Sequence, residues 1–123
     1  MIVAEDNPGV LRQLVSLLEG EFEIVATAEN GQMALECIQR CQPDVVVLDL
    51  EMPILNGIEV TRELKESTPC PAVVICSVET DQEIVDAAQE AGATCYVFKT
   101  RMSRDLVAAV KCAAGGEPFV SFS

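Results

Sequence analysis

Apolar positions along the chain follow two alternating periods. Short runs of apolar, often branched side chains alternate five times with stretches in which apolar residues return every three or four positions, as on one helix face. Residues 1–4 read as a first strand. Asn7-Pro8 then reads as a helix cap followed by Pro at the first helical position. Val10, Leu11, Leu14, Val15, Leu17 and Leu18 form the stripe of that helix, which Gly20 ends. Residues 22–28 read as a second strand, and Asn30 opens a second helix carrying Met33, Ala34, Cys37, Ile38 and Cys41. The run 44–49, Asp-Val-Val-Val-Leu-Asp, is the clearest strand. Its unbroken branched stretch is what burial on both faces of a parallel sheet demands. A loop over 52–57 leads to a third helix of about ten residues. Residues 72–76 are predicted as a fourth strand. Thr80-Asp-Gln-Glu83 predicts a capping box for a fourth helix, which Gly92 closes. Residues 95–98 read as a fifth strand. Ser103 is predicted to cap a fifth helix with Leu106, Val107, Val110 and Ala113 on one face, closed by Gly115-Gly116. The predicted domain is therefore 1–116, with 117–123 read as a linker start or a loose tail.

Five strands alternating with five helices imply a parallel sheet covered on both faces. Ligands of such sheets bind beyond the carboxyl ends of the strands. Those ends carry Glu5-Asp6, Asp49, Ser77 and Lys99. Close carboxylates repel unless a cation joins them. Three carboxylates, one ammonium and one divalent cation are together neutral. Hard oxygen donors without Cys or His favour Mg²⁺ or Mn²⁺. An open-sided site of that kind suits phosphoryl chemistry, and an Asp carboxylate can itself be the nucleophile. Phosphoryl transfer then needs mainly positioning and charge neutralisation, with Lys99 and Ser77 placed to hold phosphoryl oxygens. Taken singly, an acid after a strand is usually a turn residue and a lone Lys is usually solvated. The specificity lies in the ordered set.

Composition narrows the partners. Twenty acidic residues against eight basic ones give the 123-residue chain a net charge of −12. That balance argues against contact with nucleic acid by these residues and against an anionic membrane surface. The apolar runs are too short to span a bilayer, and no basic segment precedes an apolar leader, so a cytoplasmic location is expected. The six cysteines, Cys37, Cys41, Cys70, Cys76, Cys95 and Cys112, form no C-x-x-C. They read as reduced thiols, with Cys76 and Cys95 as small core residues. Cys37 and Cys41 lie one helical turn apart, which is half a metal site at most. With no His in the chain, a His-based triad or an internal phospho-His is excluded.

The ordered set resembles the receiver domain of bacterial two-component response regulators over nearly the whole chain. Glu5-Asp6 matches the acidic pair. Pro43-Asp44-Val-Val-Val-Leu-Asp49 with Met52-Pro53-x-x-Asn56-Gly57 matches the phosphoacceptor strand and loop. Ser77 matches the hydroxyl position, and Tyr96-Val-Phe-Lys99 the switch aromatic and the lysine. The resemblance implies a flavodoxin-like, doubly wound (βα)5 fold whose five-stranded parallel sheet runs 2-1-3-4-5. It implies that Asp49 accepts a phosphoryl group from a phospho-His of a sensor histidine kinase. Asp6, Asp49 and the backbone carbonyl of Glu51 would hold Mg²⁺ directly, and Glu5 through water. Lys99 and Ser77 would bind phosphoryl oxygens. Ser77, moving toward the phosphate, would free space for Tyr96 to turn inward and reshape the face of helix four, strand five and helix five.

The segment 106–121 resembles the end of receivers of the NarL/FixJ (LuxR-type) class, which usually continue into a helix-turn-helix domain. The implied output is transcription control through a DNA-binding domain beyond this chain. A stand-alone or phosphorylation-independent interaction module is the alternative. Members of that class pair through helices one and five, so a homodimer is an implied partner. They also often lack the Pro that many receivers carry where Thr100 follows Lys99. Apart from assisting its own Mg²⁺-dependent phosphorylation and dephosphorylation, such a domain is no enzyme. Glu51 and Glu79, two residues after Asp49 and Ser77, stand near the path of attacking water. An aspartate-nucleophile phosphatase resembles Asp-x-Asp, whereas this chain has Asp49-Leu50-Glu51 and no room for a cap domain. A flavin carrier is disfavoured because Glu5-Asp6-Asn7 would repel its phosphate, and one Tyr without Trp offers little stacking.

Overall fold

The order of elements follows the hydrophobic pattern closely. The computed structural model describes residues 1–121 and alternates β1 (Ile2–Ala4), α1 (Pro8–Leu18), β2 (Ala26–Ala28), α2 (Gly31–Cys41), β3 (Val45–Asp49), α3 (Gly57–Lys65), β4 (Ala72–Ser77), α4 (Gln82–Ala91), β5 (Cys95–Phe98), α5 (Met102–Ala114) and β6 (Phe119–Val120). A 3-10 turn, Lys99–Arg101, joins β5 to α5. The strands form one parallel sheet in the order β2-β1-β3-β4-β5-β6. No helix among the described residues is long and apolar enough to cross a membrane.

Strand periodicity divides the core into two layers, because successive side chains point to opposite faces. Ile2, Val46, Leu48, Val73, Ile75 and Tyr96 meet α2, α3 and α4 on one face. Val3, Val45, Val47, Val74, Cys76 and Val97 meet α1 and α5 on the other. Both faces of β3 are covered, so all five of its residues are buried. The register then aligns the carboxyl ends. Ala4 pairs with Leu48, Asp49 with Cys76, and Ser77 with Phe98, so Glu5, Asp49, Ser77 and Lys99 emerge on one rim.

Four local expectations need correction. The sheet has six strands, not five: after α5 the chain reverses at Gly116 (φ 76°) and β6 pairs with β5, matching Cys95 to Phe119 and Tyr96 to Val120. The expected tail 117–123 is thus ordered along the sheet edge through Ser121, and 122–123 lie outside the described residues. The second strand is confined to Ala26–Ala28. Phe22 and Ile24 instead pack against the α1/α5 layer, with the Phe22 N–H still bonded to the Leu18 carbonyl at 2.9 Å. The fourth helix is capped by Asp81, not Thr80. Asp81 Oδ1 accepts from Glu83 N at 2.9 Å, because Asp81 stands directly before the first helical residue. Ser103 lies inside α5 and caps nothing. The turn at Lys99–Arg101 already hydrogen-bonds the entering backbone, and the helix begins at Met102. The Asn7 and Asn30 caps and the closure of α4 at Gly92 (φ 118°) match expectation.

Candidate functional site

Asp49 ends β3 under a loop that presses directly on it. Asn56 and Glu59 form a reciprocal capping box, each donating backbone N–H to the other's side chain at 2.9 Å, and this starts α3. The Gly57 N–H returns to the Leu50 carbonyl at 2.8 Å. A Cβ at Gly57 would overlap the Asp49 carbonyl oxygen, so glycine is what lets the helix end approach this strand end. Glu5 continues β1 through its N–H to the Ala28 carbonyl at 3.0 Å. Asn7, besides capping α1 by its side chain, donates its backbone N–H to Glu5 Oε2 at 3.1 Å.

These placements bring the rim groups together. Lys99 Nζ stands 2.6 Å from Glu5 Oε1 and 3.2 Å from Asp49 Oδ2. Glu5 is 1% exposed and Asp49 4% exposed. Oε1 of Glu5 makes no hydrogen bond of good angle among the described residues, so the Lys99 ammonium is its compensation. Asp49 Oδ1 accepts weakly from Glu51 N at 3.4 Å. One ligand oxygen from each of Glu5, Asp6 and Asp49 lies within 4.8 Å of the others. It is the one such group of potential metal ligands among the described residues. An open cavity of about 380 Å³ faces them, walled also by Val10, Glu51 and Val78. A larger groove of about 730 Å³ between α1 and α5 has Arg12 as its only charged lining residue and no comparable chemistry.

The charges in this site are unequally held. Burial, then the hydrogen bond and charge of Glu5, push the Asp49 carboxyl up to about 7 against the pull of Lys99. Burial also opposes ionisation of Glu5, but Lys99, the Asn7 N–H and Asp49 outweigh it and hold Glu5 below its usual range. Asp6 is pushed up by desolvation and by Glu5. Burial works against the Lys99 ammonium, yet its two carboxylate partners hold its pKa above the ordinary value. The rim is therefore short of positive charge, and Asp49 makes up the difference with a proton near neutral pH. A hard divalent cation fits the same deficit. The donors are all oxygen, while the nearby Cys76 thiol is pushed up to about 12, chiefly by burial, and stays neutral.

Ser77 and Tyr96 form a second unit beside the carboxylates. Ser77 Oγ accepts from Glu79 N at 3.0 Å, and the Tyr96 hydroxyl donates to the Glu79 carbonyl at 2.8 Å. The Tyr96 ring is fully buried, edge-on to Phe98 at 6.0 Å. The Glu79 backbone was not legible as a functional group, since the sequence pointed only to its side chain. Asn7 was legible as a cap but not as a partner of Glu5. Cys76 and Cys95 are buried as expected, Cys37 is also buried, and all six cysteines are unpaired.

Known proteins resemble this chain in sequence and fold. The family profile described as response regulator receiver domain matches residues 1–111. The chain is 37% identical over 112 residues to the transcriptional regulatory protein DegU of Brevibacillus brevis, covering 91% of this chain and 47% of that protein. It is 32% identical over 124 residues to the nitrate/nitrite response regulator protein NarL of Escherichia coli (strain K12), covering 98% and 57%. Among solved structures, a DNA-binding response regulator of the LuxR family from Staphylococcus aureus superposes with a TM-score of 0.86 at 31% identity, covering 92% of this chain and 96% of that one. The chain spans about half the length of the curated relatives it matches.

Proposed function

The chain belongs to the response regulator receiver domain family, and from that premise we propose that Asp49 is its phosphoacceptor, charged by a sensor histidine kinase. A carboxylate oxygen of Asp49 attacks the phosphorus of a phospho-His. An O–P bond forms, the N–P bond breaks, and the nitrogen keeps the electron pair. Asp6, Asp49 and the Glu51 carbonyl would hold Mg²⁺ or Mn²⁺, with Glu5 acting through water. The bound ion supplies positive charge where phosphoryl oxygens gather. Lys99, already 3.2 Å from Asp49, exchanges a carboxylate oxygen for a phosphoryl oxygen. Ser77 turns its hydroxyl to another, and Glu79 and Tyr96 follow because both are bonded into the same unit. Phosphorylation then favours one arrangement of the α4–β5–α5 face over another by its differential contacts. The observation that carries this reading is the Glu5–Lys99–Asp49 arrangement at the sheet rim, with Asp6 beside it.

The output we propose is transcription control in the cytoplasm through a DNA-binding domain outside this chain, with homodimerisation as an accompanying step. Both curated relatives are named as regulators and are about twice as long. The test is intact-mass spectrometry after incubation with acetyl phosphate, with Mg²⁺ or with EDTA, beside Asp49→Asn. One phosphoryl adduct, dependent on Mg²⁺ and absent from the variant, is expected. A folded, unmodified wild type beside a reacting control receiver would leave a phosphorylation-independent interaction module as the function.

A further inference from the structure

Ser121 stands where the C-terminal strand meets the strand that carries Tyr96 and leads into Lys99. It is 3% exposed and takes no part in the chemistry above. Its backbone N–H donates to the Tyr96 carbonyl at 2.9 Å, as one more rung of the β5–β6 ladder. Its hydroxyl accepts from the Phe98 N–H at 3.2 Å and donates to Asp105 Oδ2 at 2.7 Å. The same Asp105 oxygen receives Arg101 Nε at 3.2 Å. Phe98 and Arg101 bracket the turn from which Lys99 projects, so one Ser–Asp pair grips that turn at both ends.

We propose that Ser121 and Asp105 are positioning residues for phosphoryl acceptance, holding the Lys99 turn in register with Asp49 and tying the C-terminal strand to it. The proposal rests on the reading of Asp49 as phosphoacceptor. The buried Phe98 N–H lies beyond the last β5–β6 pair, Tyr96 with Val120, and its acceptor is the Ser121 hydroxyl. Without it, a buried donor is left unpaired, and the turn must shift to satisfy it. The Arg101–Asp105 pair is partly exposed and spaced i,i+4, so alone it holds little. The bond from Ser121 to the Asp105 carboxylate is shorter, directional and charge-assisted. A small displacement of Lys99 costs rate because the phosphoryl site depends on placement of its charges. The Mg²⁺ ligands sit on other elements and need not move.

The experiment compares Ser121→Ala, Ser121→Thr and Asp105→Asn in the full 123-residue chain. Amide hydrogen exchange is followed without phosphate donor. The phosphorylation rate with acetyl phosphate is measured at saturating Mg²⁺, and Mg²⁺ affinity is measured separately. Ser121→Ala is expected to raise exchange at Phe98 through Met102 by about threefold to tenfold and to slow phosphorylation by a similar factor, the worth of one buried hydrogen bond. Mg²⁺ affinity stays at the wild-type value, Ser121→Thr restores both readouts, and Asp105→Asn falls between. Wild-type exchange and rate in Ser121→Ala overturn the proposal. So does a joint loss of rate, Mg²⁺ affinity and global protection, which marks a merely structural role. A wild-type chain that takes no phosphoryl group overturns the phosphoacceptor reading instead, and exchange at Phe98 then decides the hold on the turn by itself.

Discussion

Replacing Asp49 by Asn should make the metal-free protein more stable. Burial and Glu5 hold the native Asp49 carboxyl up to about 7, against 3.8 for a free one. Between those values the native state keeps a proton that the unfolded chain has released, so this group's contribution to stability falls as pH rises through the window and is constant above it. Three units of difference correspond to about 4 kcal/mol at about 1.4 kcal/mol each. The Glu5 charge alone is of that order, since unit charges within 4.8 Å of each other repel by at least about 3.5 kcal/mol at an effective dielectric of about 20. The shift of Asp49 already includes its attraction to Lys99, so a gain of up to about 4 kcal/mol is expected. For a domain of this size that is at most roughly 12–20 °C in Tm. Thermal melts by circular dichroism, in EDTA and at several pH values, read it out. The gap should be full near pH 8, shrink below about pH 7 and vanish below about pH 3, where both states of the wild type are protonated. Mg²⁺ at about a hundred times its Kd should return about 2.7 kcal/mol to the wild type and less to the variant. Equal Tm values in EDTA at pH 8, or a gap that persists in acid, would refute the charge deficit at the rim.

Three further outcomes follow from the same geometry. Lys99→Met leaves buried Glu5 and Asp49 uncompensated and should cost about 3–5 kcal/mol near pH 8, a loss partly recovered by acid or Mg²⁺; urea unfolding with no pH-dependent recovery would count against the ion triad. Gly57→Ala drives a Cβ into the Asp49 carbonyl and should destabilise by more than about 2 kcal/mol while slowing phosphorylation, whereas Gly20→Ala, with nothing near its Cβ, should change neither. Tyr96→Phe removes the bond to the Glu79 carbonyl at a cost of about 1 kcal/mol, and faster amide exchange at Ser77–Glu79 is the expected signature.

Much of the fold was legible because the strands are short, apolar and buried on both faces. Val45 to Leu48 announces a central parallel strand, and helix caps at Asn7 and Asn30 punctuate the alternation. The rim residues were legible because parallel topology collects strand ends in one place, whatever the side-chain detail. What failed to show was set by a few atoms of geometry. β6 has two residues, too few for any period, and depends on a left-handed Gly116 that sequence pattern reads only as a helix stop. Thr80 and Asp81 are both competent caps, and only the start of the α4 backbone chooses between them. Ser103 lost its role because the turn after β5 already organises the chain. The burial of Tyr96 and the double use of the Glu79 backbone depend on packing between β4, α4 and β5, which no single stretch of sequence encodes.

The central claim is that the phosphoryl group resides on Asp49 itself. Reductive trapping with borohydride after acetyl phosphate treatment, followed by peptide sequencing in the mass spectrometer, tests it at the level of one side chain. Reduction of an acyl phosphate converts aspartate to homoserine, and homoserine is expected at position 49 alone, only when Mg²⁺ is present. Homoserine at position 6, or a phosphoryl group retained on Ser77 with Asp49 unchanged, would contradict it.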